Sequence, residues 1–527
     1  MQRAPSLVCV SAAAFYLNFI AWGSVSYEGR TYFTLFDDAM ISLRYAKTLA
    51  AGGGFTWNPG ETPIEGITNP LWTLWMALLH FAPVPEGMVA LLVGLSSGAL
   101  LLGAAWAARL LARQLGAGER TALVVLAGVA FYYPLAFWSL RGMETGALAC
   151  LMTWAMVLAL RQLDEPKPRR AALLAGMAAA LVLVRQDAAI FVVVLAAFAA
   201  VAEGARARTT WGALLGGMVA GLVLLVALRL AYYGDALPNT YYLKVTGVTL
   251  MERLQRGLGA LFSEAMRGHF IVFAEVIVLS VPALSRREPK MRIRLALPLA
   301  ALLAQAAYSA YVGGDVWELM GYPNRYIVIA MPGLIALTMV LLANLSADVG
   351  RADGGIPAAE PGAREAVSPR AREMIFAGIA ALLLLQTSVL HAFVALRDGA
   401  AYVEYDRAAT QVGLCLRDKT PANARIAYTW AGAMPYYADR FGIDLLGKMD
   451  AHVARSTPQI AFEPGHNKWD TAYSIDTHKP DIILQLFRAK PADYAAIRER
   501  GYVPIDPAWP CLANTFLTPG DVFVRNN

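Results

Sequence analysis

Along most of this chain, hydrophobic residues come in runs too long and too unbroken to form one face of a soluble helix. The runs lie at 8–22, 87–107, 121–137, 145–160, 171–184, 188–201, 211–230, 270–284, 295–312, 326–345 and 374–394. A helix crossing the hydrocarbon core upright needs about 20 residues, so several runs are short, but together they predict about eleven spanning helices. The apolar segment 71–81 is too short to cross and is expected at the membrane interface.

Two stretches break this pattern. The first is YFTLFDDAMISLRYAKTLAAGGGFTWNPGETPIEGITNPLWTLW, inside a predicted first extracytoplasmic loop covering 23–86. Met40, Leu43, Tyr45, Ala46 and Leu49 recur at helical spacing, with Arg44 and Lys47 as a polar edge. Asp37 and Asp38 open the helix, where the dipole favours acids, and the Gly52–Gly54 run closes it before a turn-rich segment. The pattern predicts a short helix lying at the membrane surface, followed by an ordered loop. The second break is the tail. From 398 to 527 the composition turns soluble, and strand-like runs at 425–428, 443–446 and 481–486 alternate with helical stretches such as 491–500. A small α/β domain is expected there, after a transmembrane domain over 1–397.

The 527 residues are 57% hydrophobic and 16% charged, which excludes a soluble protein of this size and predicts a polytopic α-helical membrane protein. A pI near 9.0 would suit a nucleic-acid binder, but here the basic residues mark topology. Arg3, then Arg109, Arg113 and Arg120, then Arg161, Lys167, Arg169 and Arg170 fall in every second loop. So do Arg206 and Arg208, the cluster from Arg286 to Arg294, and Arg351, Arg364, Arg370 and Arg372. The positive-inside rule then puts the N-terminus in the cytoplasm and the tail outside, in the periplasm if the membrane is a bacterial inner membrane. The first run also reads as a cleaved signal peptide; its removal would strip the Asp37 helix of its adjacent anchor, so a retained span is preferred. There is no Walker A pattern, no G-x-G-x-x-G after a strand and no H-E-x-x-H, so an ATP-driven pump or zinc protease has no support.

The loops opposite the basic ones collect acids, arginines and amides. They hold Asp37, Asp38 and Glu65; Arg141 and Glu144; Arg185 and Asp187; Asp235, Asn239, Tyr241, Tyr242 and Lys244; and Asp315, Glu318, Tyr322, Asn324 and Arg325. Ionisable groups at membrane depth are costly and mark functional cavities. Cys9 and Cys150 fall in spans, whereas Cys415 and Cys511 share the outer tail, where a disulfide between them could persist.

One chemistry uses these residues together. Transfer of a sugar from a lipid phosphate to a hydroxyl needs a carboxylate base and cations for the departing phosphate, with a groove open to lipid. Asp37 or Asp38 suits the base, and Arg185, Lys244 and Arg325 suit the phosphate. If Asp38 caps the helix, its carboxylate is occupied by backbone N–H groups, which favours Asp37. Structural readings stand beside this one. The double Asp can be an N-cap with a solvated neighbour, Arg185–Asp187 and Arg325–Asp315 can be plain ion pairs, Glu144 can pair with Arg141, and Lys244 can snorkel. The histidines at 80, 269, 391, 452, 466 and 478 show no metal-ligand spacing, and only His466, in EPGHNKWD, has a motif-like setting. A divalent cation, Mg²⁺ or Ca²⁺, held by the acids alone is the one cofactor left open.

FDDAMISLRYAKTLAAGGGFTWNPGETPIEGITNPLWTLW, WSLRGMETG, RQDA, YYGDALPNTYYLK, GGDVWELMGYPNR, AGAMPYYADRFGIDLLGKMD and EPGHNKWD occur in an order that covers nearly the whole chain. They resemble the C-type membrane glycosyltransferases similar to the mycobacterial terminal β-(1→2)-arabinofuranosyltransferase. The resemblance implies a many-helix fold, a catalytic aspartate in the first outer loop at Asp37 or Asp38, and a polyprenyl-phosphate-linked pentofuranose donor. The sequence departs from that pattern at Gln186, where proline is expected, and at Asn324 beside Arg325. The implied partners are a polyprenyl-phosphate sugar, probed first as arabinofuranose and then as another sugar such as mannose, and a cell-envelope glycan, lipid or protein acceptor. A transporter or flippase of lipid-linked sugars is the alternative class, and an oligosaccharide ligase with a pyrophosphate donor is a third. A transporter should carry charges at mid-span and related halves, whereas here the ionisable residues gather at one end of the spans.

Overall fold

The computed structural model describes residues 3–266, 269–348, 369–384, 401–513 and 515–526. Arg351, Arg364, His391, the far end of the 374–394 run and the boundary at 397/398 lie outside the described residues.

Every apolar run is mostly helical over its described residues, from Ala4–Ala21 and Val89–Gln114 to Pro289–Val312 and Met331–Asp348, with breaks at 131–132 and 329–330. Among the described residues, five helices are long and apolar enough to cross a membrane, or up to seven if each bent pair is one span. The count is below eleven partly because Pro168–Val184 has 17 residues and because Ala189–Glu203 and Arg208–Tyr233 fall in one continuous helical stretch, Gln186–Tyr233, counted once. Ala189–Glu203 turns back through residues 204–207 onto Arg208–Tyr233, and the two helices pack together. One bent pair has a readable cause. Glu119–Ala130 and Tyr133–Leu140 meet at 45°. Pro134 has no N–H to give the Ala130 carbonyl, and that carbonyl takes the Tyr16 hydroxyl instead, at 2.6 Å.

The segment after the first helix opens with an antiparallel hairpin, Ser24–Tyr27 against Arg30–Phe33. The helix predicted at Asp37 is present as Asp37–Ala50, and it is enclosed by other parts of the chain. Both its apolar stripe and Arg44 are buried. Pro70–Leu79 packs on one side of it and Ala433–Ala438, from the tail, on the other. Arg44 was expected on the polar edge. Instead its guanidinium stacks 4.3 Å from the Trp57 ring and donates to the Trp57 carbonyl (2.9 Å), Asn58 Oδ1 (2.7 Å) and the Arg440 carbonyl (2.8 Å). Its charge is thereby satisfied inside the protein. Helical periodicity separated polar from apolar residues but could not show that a second polypeptide layer covers the polar side.

That layer contains a five-stranded sheet in the order Phe441–Asp444, Arg425–Tyr428, Ile482–Leu484, Val522–Arg525 and Tyr502–Pro504. The first three strands are parallel, and Val522–Arg525 is antiparallel to both neighbours. Pro491–Glu499 is the helix predicted there. Helix Ala401–Lys419 runs beside Ala433–Ala438, and its Cys415 is disulfide-bonded to Cys511 across a separation of 96 residues.

Candidate active site

Phe36, extended at φ −64° and ψ 143°, is the N-cap of the Asp37–Ala50 helix, so Asp37 and Asp38 are its first two helical residues and neither caps it. With their carboxylates free of the helix backbone, the two point into different surroundings.

Asp38 is enclosed by donors. Its Oδ1 accepts from Lys448 Nζ at 2.7 Å, and its Oδ2 from Trp317 Nε1 at 3.0 Å and Arg325 Nη1 at 3.1 Å. Burial opposes its ionisation, but the Lys448 and Arg325 charges and these hydrogen bonds hold its carboxyl well below the usual range. Arg325 also grips Asp315, Nε to Oδ2 at 2.7 Å. Arg185 is bidentate on Asp187, at 2.9 and 3.1 Å, and donates to Glu144 Oε1 at 3.0 Å. Asn69 holds the other Glu144 oxygen at 2.9 Å. These side chains border a cavity of about 110 Å³ lined by Asp38, Asn69, Glu144, Arg185, Asp187, Lys244, Arg325 and Lys448, among others. Four cations thus face three carboxylates. Asp315, behind the lining, balances Arg325, and Lys244 alone of the four cations has no hydrogen bond and no ion pair among the described residues. Burial, and then the Arg325 charge, push its amine down to about 8.

Asp37 faces the other way, into a cavity of about 180 Å³ walled by Phe36, Trp317, Tyr322, Tyr405 and Trp430, with Met320 and Asp406. Its Oδ1 accepts the Ala433 N–H at 2.9 Å. Burial raises its carboxyl to about 6, against the lowering effect of that hydrogen bond. The approach of the tail demands glycine, since a Cβ at Gly432 would lie 2.0 Å from the Asp37 carbonyl oxygen. Asp406 shares the cavity. It is paired with Arg141 at 2.6 Å and pushed up by burial to about 7.

Of the residues expected at the site, Asp38, Glu144, Arg185, Asp187, Lys244 and Arg325 line the first cavity, and Asp37 and Tyr322 the second. The others stand behind them. Asp315 supports Arg325 from outside the lining. Glu65 is bidentate on Arg229, at 2.6 and 3.0 Å, and ties the loop to the Arg208–Tyr233 helix. Asp235 pairs with Arg455 at 2.7 Å, and Asn239 Nδ2 donates to the carbonyls of Gly447, Lys448 and Asp450. Tyr241 is 38% exposed and packs edge-on against Tyr242. Glu65, Asp235 and Asn239 thus serve as anchors between segments, their polar groups satisfied by partners elsewhere in the chain. Arg141 and Glu144 do not pair; each has its own partner. Lys448, Asp406 and the Trp430 wall come from the tail, whose soluble composition carries no membrane-depth signal to single them out.

A divalent cation does not fit this donor set. Asp38 already has both oxygens engaged by cations and an indole, and Asp37 opens into a separate cavity. No group of three or more His, Cys, Asp or Glu gathers for a metal among the described residues. His466 is buried against Trp317 and Trp430, and burial with the Lys448 charge pushes its imidazole down to about 3.

The arrangement of apolar helices below and a polar loop layer above is that of the GT-C membrane fold, as two sets of solved structures make plain. ArnT from Cupriavidus metallidurans bound to undecaprenyl phosphate is similar over 97% of both chains, with 14% identity and a TM-score of 0.59. In its apo state the values are 96% of both chains, 15% and 0.57. The Archaeoglobus fulgidus oligosaccharyltransferase tethered with an acceptor peptide is similar over 84% of this chain, with 12% identity and a TM-score of 0.53. The chain spans 64% of that protein's length. In sequence, residues 397–519 match a family described as a domain of unknown function (DUF8728). No curated protein matches the chain.

Proposed function

We propose that the chain is an inverting membrane glycosyltransferase that takes a sugar from a polyprenyl phosphate and passes it to a hydroxyl of a cell-envelope glycan, lipid or protein. The observation that carries this reading is the unpaired Lys244 in a cation-rich cavity that Asp38 also lines, with Asp37, the preceding residue of the Asp38 helix, lining a second cavity. The fold shared with an undecaprenyl-phosphate-bound protein supports it.

In this mechanism the acceptor hydroxyl enters the aromatic cavity and gives its proton to Asp37. Its oxygen attacks the anomeric carbon from the face opposite the phosphate, so the configuration inverts. The sugar–phosphate C–O bond breaks and the phosphate gains a negative charge, which Lys244, Arg185 and Arg325 stabilise. Asp38 is never protonated; it holds Arg325 and Lys448 at the cavity wall. Arabinofuranose is the sugar the motif resemblance points to.

Lys244→Met is expected to weaken undecaprenyl phosphate binding by roughly 10- to 100-fold, the effect of losing a charge-assisted contact. Titration of the purified chain measures it, and wild-type affinity in the variant would put the phosphate elsewhere. The reading also includes eleven spans with the N-terminus in the cytoplasm and the residues after 397 outside, as a domain of their own. A reporter fused after Arg397 should then behave as periplasmic. Cytoplasmic reporter activity there would invert every loop assignment.

A further inference from the structure

The EPGHNKWD segment, residues 463–470, lines neither cavity, yet it contains a fully buried lysine. Lys468 is 0% exposed, and its Nζ donates to the carbonyls of Tyr242, at 3.0 Å, and Ala454, at 2.8 Å. Among the described residues no carboxylate pairs with it. A buried charge without a counter-ion is costly, and a neutral donor would bridge two carbonyls at less cost. The placement of those carbonyls explains the cation. Tyr242 lies in the last turn of the Asn239–Val245 helix and Ala454 in the last turn of Ala451–Arg455. Both are helix C-termini, where the dipole favours positive charge. Lys468 therefore fastens the ends of two helices to each other.

The first of those helices bears Lys244 two residues beyond the bonded carbonyl, and the second follows the turn that carries Lys448. The same segment supports Lys244 a second time. Gly465, at φ +77°, packs under its aliphatic stem, and a Cβ there would sit 3.4 Å from Lys244 Cε. Resting on the functional reading above, we infer that Lys468, with Gly465, is a positioning residue for the donor phosphate: it sets the turn that delivers Lys244 to the cation-rich cavity.

The test is a double-mutant cycle on the full chain, purified in detergent, with undecaprenyl phosphate as the probe. Lys468→Met should weaken binding roughly 10-fold, as expected for loss of a hydrogen bond made by a charged group that orders the site. In a Lys244→Met background the same change should have no further effect. A merely structural lysine would lower the melting temperature without this coupling. Wild-type affinity in Lys468→Met, or its full loss repeated in the Lys244→Met background, would overturn the inference while leaving the site intact. Wild-type affinity in Lys244→Met alone would instead sink the phosphate site itself. Should Lys468→Met fail to fold, Gly465→Ala is the second probe. It should weaken binding in the wild type and not in Lys244→Met, and equal losses in both would overturn the inference.

Discussion

Asp37→Asn is expected to lower turnover by roughly 10²–10⁴-fold, about 3–5 kcal/mol of barrier, the usual effect of removing a general base. Undecaprenyl phosphate binding should persist, because Lys244, Arg185 and Arg325 line the other cavity. Asparagine keeps the acceptor for the Ala433 N–H and loses only the proton-accepting charge. The pH dependence follows from the raised carboxyl. With Asp37 at about 6, wild-type activity should fall as pH drops through that value, since the protonated acid cannot accept the hydroxyl proton. The stability sign is opposite. A carboxyl raised from its ordinary 3.8 binds its proton more readily in the folded state, so the fold loses stability as pH rises from the unfolded to the folded value. Asp37→Asn should therefore be at least as heat-stable as wild type at pH 7 while being nearly inactive. Single-turnover kinetics with bound donor, beside a melting curve, measure both. Normal turnover in Asp37→Asn with an inactive, folded Asp38→Asn would move the base to Asp38.

Arg44→Met should be the most damaging single change outside the cavities. Its guanidinium bonds three backbone carbonyls, of Trp57, Pro435 and Arg440, together with Asn58 Oδ1, and joins the first loop to the tail. Methionine fills the space but removes a donor from each of these acceptors; Asn58 Oδ1 keeps the Gly442 N–H and the Pro435 carbonyl the Asp439 N–H, and for the lost contacts together about 3–5 kcal/mol is expected. Because Pro435 lies two residues beyond Ala433, the hydrogen bond to Asp37 should loosen as well, so activity should fall with stability. Thermal unfolding and protease sensitivity of the tail would show it. Unchanged values in both would mean that the tail docks without Arg44.

The helices were legible because membrane burial writes long apolar runs, and the Asp37 helix was legible from its period and its terminal acids and glycines. Its burial was not. A covering layer contributed from nearly 400 residues away leaves no local trace, and Arg44 looked like any charged edge residue. The same limit explains the site. Cations and acids between long apolar runs stand out in the sequence, so Arg185, Lys244 and Arg325 could be picked by chemistry. Which of their neighbours face a cavity and which only hold the frame depends on contacts across the chain, as Asp235 and Asn239 illustrate. Sequence alone favours Asp37 over Asp38 only if Asp38 caps the helix. The distinction instead rests on Phe36 as the cap and on the cations around Asp38.

The decisive measurement is to incubate the purified chain and an acceptor-bearing envelope extract with polyprenyl-phosphate sugars, one at a time, and assay free polyprenyl phosphate. A single sugar, with arabinofuranose the first to try, should release it together with a product inverted at the anomeric carbon, and Asp37→Asn should release it roughly 10²–10⁴-fold more slowly. Intact donor with every sugar, or donor carried whole across a bilayer without release, would contradict a transferase and identify a transporter of lipid-linked sugars.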